Sequence, residues 1–308
     1  MKKLYPIVLL VLTTAVATAQ QLPHFSQYFM NEYIVNPAVA GRDNHFDVRT
    51  SQRHQWVGIN DAPRTYTIAV NGPLIHEKMG IGAYAYADVV GPTRRSGFQA
   101  SYAYHIRIGE ESRLSMAASL GILHYALDGD KLDLQDTNDP SLMNMYQSEV
   151  LPDAKFALYY YTPKFYAGVT MPNLLQNRLQ LYEQHTIENR LVPHFMMLAG
   201  YRIEISEDFM LEPSVLFKFV NPAPLNFDLT LRAHYKNMLW VGVNYRSSDS
   251  FTPVFGYTHK DFLFFGYGYD ILTNNLQNYS SGSHEFMVGI RLNRHVKRPP
   301  TDVPAGAE

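Results

Sequence analysis

The chain has 308 residues, of which 46% are hydrophobic, 18% charged and 13% aromatic. This composition excludes a disordered chain, and 26 Lys and Arg against 28 Asp and Glu leave no general attraction for nucleic acid. Cys is absent, which excludes disulfide frameworks, Cys-based zinc sites, thiol nucleophiles and acylation of an N-terminal Cys.

Residues 1–19 read as a signal peptide. Lys2 and Lys3 give a positive start, Leu4 to Val16 is mostly apolar, and Ala17-Thr18-Ala19 is a small-x-small cleavage site that leaves Gln20 first. The alternative is an N-terminal membrane anchor. Past this stretch no window approaches the length of a spanning helix. The remainder holds many Tyr, whose apolar ring and wet hydroxyl suit a half-oily surface. Such an exported chain is a soluble β-protein or an outer-membrane barrel.

Residues 20–43 form a separate segment. Mature termini are usually loose and polar, but this one carries Phe25, Tyr28, Phe29, Tyr33, Ile34 and Val35, so something must bury it. Asn36-Pro37 and Gly41 read as turn points. Two readings stay open: a structural plug in or under a barrel, or a gate or partner-docking element.

From residue 44 the dominant period is two. Phe227, Leu229, Leu231, Ala233 and Tyr235 alternate with Asn226, Asp228, Thr230, Arg232 and His234. Leu239, Val241, Val243 and Tyr245 alternate with Trp240, Gly242, Asn244 and Arg246. The pattern predicts about fourteen strands, over 44–56, 64–72, 78–90, 95–108, 113–127, 153–162, 164–171, 194–205, 209–220, 225–236, 238–248, 252–259, 262–272 and 283–293. Strands of roughly ten residues suit a tilted membrane crossing; soluble strands average about five to six. Tyr159, Tyr160, Tyr161, Phe262, Phe264 and Phe265 sit near strand ends, where an interfacial girdle is expected. Every second connection is short, and the long ones, 128–152, 172–193 and 273–282, all fall in the other set. The fold class is therefore all-β: a transmembrane up-and-down antiparallel barrel over 44–293, with short turns and both termini in the periplasm. Residues 294–308, with Pro299, Pro300 and Pro304, form a polar periplasmic tail.

No phosphate loop, dinucleotide fingerprint, HExxH or Gly-x-Ser-x-Gly is present. The 12 His show no metal spacing with a nearby acid. His234 with Asp228 and Arg232 reads as polar filling of a barrel interior. Ser283, His284 and Glu285 cannot converge as a triad, because strand neighbours point to opposite faces. No catalytic, cofactor or metal residue is expected.

The segment Phe25-Ser26-Gln27-Tyr28, Asn36-Pro37-Ala38 and Ala40-Gly41 resembles the opening of the PorP/SprF family of type IX secretion system membrane proteins. Arg53-His54-Gln55-Trp56-Val57-Gly58 followed by Ala62-Pro63-Arg64-Thr65 is similar to that family's Arg-x-Gln-Trp block. Gly268-Tyr269-Asp270 and the run from Tyr279 to Glu285 resemble its closing strands; Val39 departs from a more usual aromatic. The resemblance implies a non-enzymatic outer-membrane component acting with the type IX export and gliding machinery. Its expected partners are outer-membrane lipid, periplasmic lipoprotein or ring components, and exported cargo with C-terminal secretion domains or large adhesins. Phe25, Gln27, Tyr28, Asn36, Pro37, Gly41, Arg53, Gln55 and Trp56 are the candidate partner or gate residues. The rival is a passive channel for hydrophobic compounds, because Asn36-Pro37-Ala38 also resembles the hatch box of long-chain fatty-acid channels. Arg107, Arg202, Lys218, Arg232 and Arg246 on the inner face speak against an apolar lumen.

Overall fold

The computed structural model describes residues 23–75, 78–129, 146–179, 189–221 and 223–293. The predicted signal peptide and the 294–308 tail lie outside the described residues. Fourteen strands make the wall: β1 His45–His54, β2 Arg64–Ile75, β3 Met79–Val90, β4 Thr93–Arg107, β5 Arg113–Asp128, β6 Tyr146–Tyr161 and β7 Phe165–Met171. They continue as β8 Phe195–Tyr201, resumed at Ile203–Glu204 after Arg202, then β9 Phe209–Phe219, β10 Asn226–Tyr235, β11 Leu239–Arg246, β12 Ser250–His259, β13 Leu263–Leu272 and β14 Ser283–Asn293. Each pairs antiparallel with its sequence neighbours, and β1 pairs with β14 from His45↔Asn293 to His54↔His284. The ring is closed, so no backbone edge is left for lipid to meet.

The period-two sequence decides which side of the wall faces out. Along β12, Phe251, Phe255 and Tyr257 are exposed while Ser250, Thr252, Val254 and Thr258 are buried. Leu229, Leu231, Val241 and Val243 are likewise exposed, and Asp228, Thr230, Arg232, Asn244 and Arg246 are buried. An apolar exterior around a polar interior is stable only against hydrocarbon. No helix among the described residues is long and apolar enough to cross a membrane; the crossing is made by strands.

At one end of the barrel no connection exceeds five residues, and at the other lie 55–63, 129–145, 172–194 and 273–282. We call these the turn end and the loop end. The expected parity holds, although the loop end also contains tight turns at 91–92 and 247–249.

Two expectations need correction. β6 begins at Tyr146, seven residues before the predicted start, and runs through Pro152 opposite Ile122. Pro lacks a ladder donor, but the Pro152 carbonyl accepts from Asn177 on the side away from β5. A residue's N and C=O share one side of an antiparallel strand, so the missing N–H faces a loop and no ladder bond is lost. The aromatic girdle is also misassigned in part. Tyr159 and Phe264 are buried inside the wall, and Tyr161 points inward to His105. The exposed band at the turn end keeps the predicted Phe262 and Phe265 and adds Tyr104, Phe165, Tyr201, Phe209, Tyr235 and Tyr257.

Inside the ring lies the segment that precedes β1. It is built from a 3-10 turn at Tyr28–Met30, one α-helical turn at Glu32–Val35 and a second 3-10 turn at Pro37–Val39. Asn36 explains the last of these: its side chain accepts from the Ala38 N–H at 2.9 Å, and Pro37 supplies a fixed φ at the first position. Ser26 to Val39 is buried throughout apart from the half-buried Ile34.

Candidate functional site

The segment crosses the lumen from end to end. At the turn end, Arg42 pairs with Glu32 at 2.7 Å and donates to the Tyr159 hydroxyl at 3.0 Å, and the Ala40 carbonyl meets His105 at 2.8 Å. Gly41 crosses Gly80 so closely that a Cβ on Gly41 would stand 2.5 Å from the Gly80 Cα, and Gly41 itself has φ +77°. Only glycine satisfies both demands. Midway, the Tyr33 hydroxyl donates to Ser101 at 2.9 Å and the Asn36 amide donates to the Leu158 carbonyl at 3.0 Å. Tyr28 meets Ser214 at 3.1 Å and Thr230 at 3.0 Å. Phe29 stands edge-on to Trp240 at 5.6 Å, with the Arg232 guanidinium 4.3 Å from its ring centre.

At the loop end the segment is clamped by charge. Arg53 and Glu285 are direct cross-strand partners on β1 and β14, and both face inward. The Ser26 and Gln27 N–H groups donate to the two Glu285 carboxylate oxygens at 2.8 and 3.1 Å, and the Gln27 amide donates to the Glu285 carbonyl at 2.9 Å. Arg53 donates to Ser26 Oγ at 2.8 Å and to Glu285 at 3.0 Å, and it pairs with Asp270. Ser26 Oγ and Thr252 each donate to Asp270 at 2.8 Å. Arg53, Asp270 and Glu285 are at most 1% exposed. Such a cluster is tolerable only because nearly every charge has a partner. Beside it, Arg246 pairs with Asp228 at 2.7 Å and donates to the Phe25 carbonyl at 3.1 Å. Lys218 pairs with Asp228 and lies 3.0 Å from His24 Nδ1. Burial first, then the Lys218 and Arg246 charges, hold His24 well below its ordinary value, so its imidazole accepts from the ammonium as a neutral ring.

The structure therefore brings Phe25, Gln27 and Arg53 together at the loop end, sets Tyr28 midway, and seats Asn36, Pro37 and Gly41 toward the other end. Gln55 and Trp56 stay out of the lumen's charge clamp. They lie half-buried on the β1–β2 connection, where Gln55 N donates to the Pro63 carbonyl at 2.9 Å and Trp56 N to Ser283 Oγ at 3.1 Å. The partners of Arg53 were not singled out from sequence. The available signal was two acids, Asp270 and Glu285, on inward positions of the closing strands.

Of the cations expected on the inner face, all but Arg107 gather at two acids, Glu212 and Asp228. Arg232 pairs with Glu212 at 2.6 Å, Arg202 approaches it at 3.9 Å, and His234 lies 3.4 Å from it. His234 therefore joins Arg232 at Glu212, and Asp228 belongs to the Arg246 cluster. Arg107 does not line the lumen; it is exposed and caps the 108–112 turn through the Gly109 and Glu110 carbonyls. The expectation that no His stands at metal spacing beside an acid needs correction: Asp43, His45 and Asp47 alternate into β1 and place ligand atoms within 4.8 Å of one another. Arg42 lies 3.3 Å from Asp43, and Arg49 and Arg291 lie 3.3 and 3.9 Å from Asp47. The acids' charges are thus answered without an ion. Ser283 and Glu285 face inward while His284 contacts Tyr267, so these three do not converge, as expected.

Residues 17–290 match the family described as type IX secretion system membrane protein PorP/SprF. No curated protein sequence matches the chain significantly. Among solved structures, the toluene transporter TbuX of Ralstonia pickettii is similar with a TM-score of 0.51 at 10% identity, over 86% of this chain and 93% of that one. The CymD monoaromatic hydrocarbon channel is similar with a TM-score of 0.50 at 13% identity, over 89% and 94%. At such identities these likenesses speak to the barrel fold alone. The family match, in contrast, runs from before the lumenal segment into the last strand, and this chain belongs to the PorP/SprF family of type IX secretion system membrane proteins, as an outer-membrane β-barrel.

Proposed function

We propose that this barrel engages exported cargo, proteins with C-terminal secretion domains or surface adhesins, and that residues 20–43 act as its gate. The observation that carries this reading is the clamp. The segment's loop-end half is held by Arg53, Asp270 and Glu285 through directed bonds to two residues, Ser26 and Gln27. Directed bonds of this kind can be exchanged one for one by an incoming chain, whereas loss of apolar packing has no such substitute. The turn end and residues 294–308 then face the periplasmic lipoprotein or ring components of the machinery, in secretion or in gliding.

Deleting residues 25–38 with the leader kept tests this. The barrel wall uses none of these residues, so it should still insert and remain heat-modifiable on gels, while export of cargo falls. A second reading, a passive channel for hydrophobic compounds, is favoured by the partly apolar cavity at the loop end of the lumen. It expects the same deletion to leave export intact and raise small-solute uptake. Normal export with raised uptake in one strain would replace the first reading by the second.

A further inference from the structure

The loop-end half of the lumen is not filled. β7 and β8 are short and β6 overshoots them, so the wall is notched there. The chain between β7 and β8 covers this side with a two-residue ribbon, Arg178–Leu179 against Asn189–Arg190. Leu179 and Leu191 pack on Leu123 and Leu151 as a small apolar cluster separate from the main core. Beneath it remains a cavity of about 120 Å³, floored by His24 and Phe25 of the lumenal segment.

The walls of this cavity differ in chemistry. Tyr84, Tyr86 and Tyr125 line one side, with Tyr84 and Tyr86 stacked at 5.8 Å. Leu123, Leu191 and Leu216 line the other. Into this apolar space projects Lys155, whose side chain is nine-tenths buried. Its ammonium has three donors, and among the described residues it makes one hydrogen bond, to the Tyr84 hydroxyl at 2.7 Å, while lying 4.6 Å from the same ring's centre. Asp153 also borders the cavity; it accepts from the Gln99 amide, and its charge acts on Lys155 from beyond ion-pair distance. Among the described residues two donors of this buried ammonium stay unused, which is costly. Arg95, over the Tyr125 ring at 5.5 Å, and Lys218, paired with Asp228, border the same space.

We propose that this cavity is a binding site for a small amphipathic carboxylic acid. The carboxylate accepts from Lys155 Nζ, and its short chain lies between the tyrosine wall and the leucine wall. The size limits the apolar part: the cavity of about 120 Å³ is smaller than the ~150 Å³ that holds one benzene, so a chain of a few carbons fits. A hydrocarbon would leave two donors of the ammonium unused. The site needs the segment seated, because His24 and Phe25 floor it, but it does not rest on passage of cargo.

Equilibrium dialysis with butyrate on the refolded mature barrel in micelles tests the proposal. Saturable binding at one site per barrel is expected, with butyramide binding about tenfold or more weakly, as loss of a charge-assisted bond implies. Lys155→Met should weaken butyrate by a similar factor and leave butyramide unchanged, and Lys155→Arg should restore part of the loss. Leu216→Trp, which fills the cavity without touching charge, should abolish both. Heat-modifiable migration on gels checks that each variant is folded. Equal binding of acid and amide, no effect of Lys155→Met in a folded barrel, or no saturable binding would overturn the proposal. So would binding of a Leu-terminated pentapeptide with none of free butyrate, which would assign the cavity to chain termini.

Discussion

Replacing Arg53 by Met tests the clamp directly. Arg53 has three partners, Ser26, Asp270 and Glu285, and all lie in a cluster with almost no solvent. Removing one member of such a pair leaves uncompensated buried charge and costs about 3–5 kcal/mol. The segment is also held by Tyr28, Phe29, Met30 and Tyr33, all buried, each contributing about 1.5–3 kcal/mol. Their sum exceeds the clamp loss. The expected phenotype is therefore fraying of residues 23–27 rather than ejection of the whole segment. The chain has no Cys, so Phe25→Cys introduces a single thiol at the half-buried position beside the clamp. Since about 1.4 kcal/mol is a factor of ten, maleimide labelling at residue 25 should accelerate roughly a hundredfold or more in the Arg53→Met background. Trp240, which touches Phe29, should keep its emission in a Trp56→Phe background. Adding Asp270→Asn and Glu285→Gln removes the stranded charges and should slow labelling again. Unchanged labelling in Arg53→Met would refute the argument that charge, and not packing, fixes the amino end of the segment.

The remaining expectations concern pH, lipid and topology. His24 is held neutral in the fold and its ordinary value is 6.5; because the folded value is depressed, its contribution is complete above about 6.5 and is lost as pH falls below it. Labelling at residue 25, divided by the rate of a fully exposed thiol at the same pH to remove the fall in thiolate, should rise between pH 7 and 5, and His24→Gln should flatten that ratio. Val243, outward at the middle of β11 and 38% exposed, should lose about 2–4 kcal/mol as Arg in vesicle folding titrations, whereas Gln277→Arg in the exposed 273–282 connection should stay within about 0.5 kcal/mol; equal penalties would count against a lipid-facing wall. Both termini were expected in the periplasm, but Pro23 borders the loop-end cavity while Asn293 pairs with His45 at the turn end, so the described chain enters the lumen at one end and leaves the wall at the other; a tag after Gln21 and a tag after Glu308 should label from opposite sides of the membrane, with the first on the same side as a tag within 129–145. Two terminal tags on one side would show that the segment does not thread the lumen.

The wall was legible because its physics is local. A strand in lipid must put Leu229, Leu231 and Val241 out and Asp228, Arg232 and Asn244 in, and that demand prints a period of two directly on the sequence. The count and the parity of connections follow. The errors fall where the period carries no sign. Tyr159, Tyr160 and Tyr161 are all aromatic, so their run alone cannot say which ring faces lipid; the inward Asp153 and Lys155, an even number of residues before it, set the parity that turns Tyr159 inward to Glu32 and Arg42. Phe264 is drawn inward in the same way by Arg49 and Arg291, whose guanidinium carbons stand 5.2 and 4.6 Å from its ring centre.

The threaded segment was legible in kind but not in course. Its aromatics show that it must be buried, yet nothing local tells whether it lies under the barrel or through it. What settles its course is the match between spacing along the segment and height on the wall. Ser26 meets the loop-end residues Asp270 and Glu285, Tyr28 meets mid-wall Ser214 and Thr230, and Ala40 meets His105 near the turn end. Those contacts span more than 240 residues of sequence at the amino end and 65 at the carboxyl end. The amino end therefore cannot dock until the last two strands, which carry Asp270 and Glu285, are in place. The turn-end half, bound to β3, β4 and β6, can seat earlier. The clamp thus depends on ring closure, and a seated amino end at residues 25–27 reports a completed barrel.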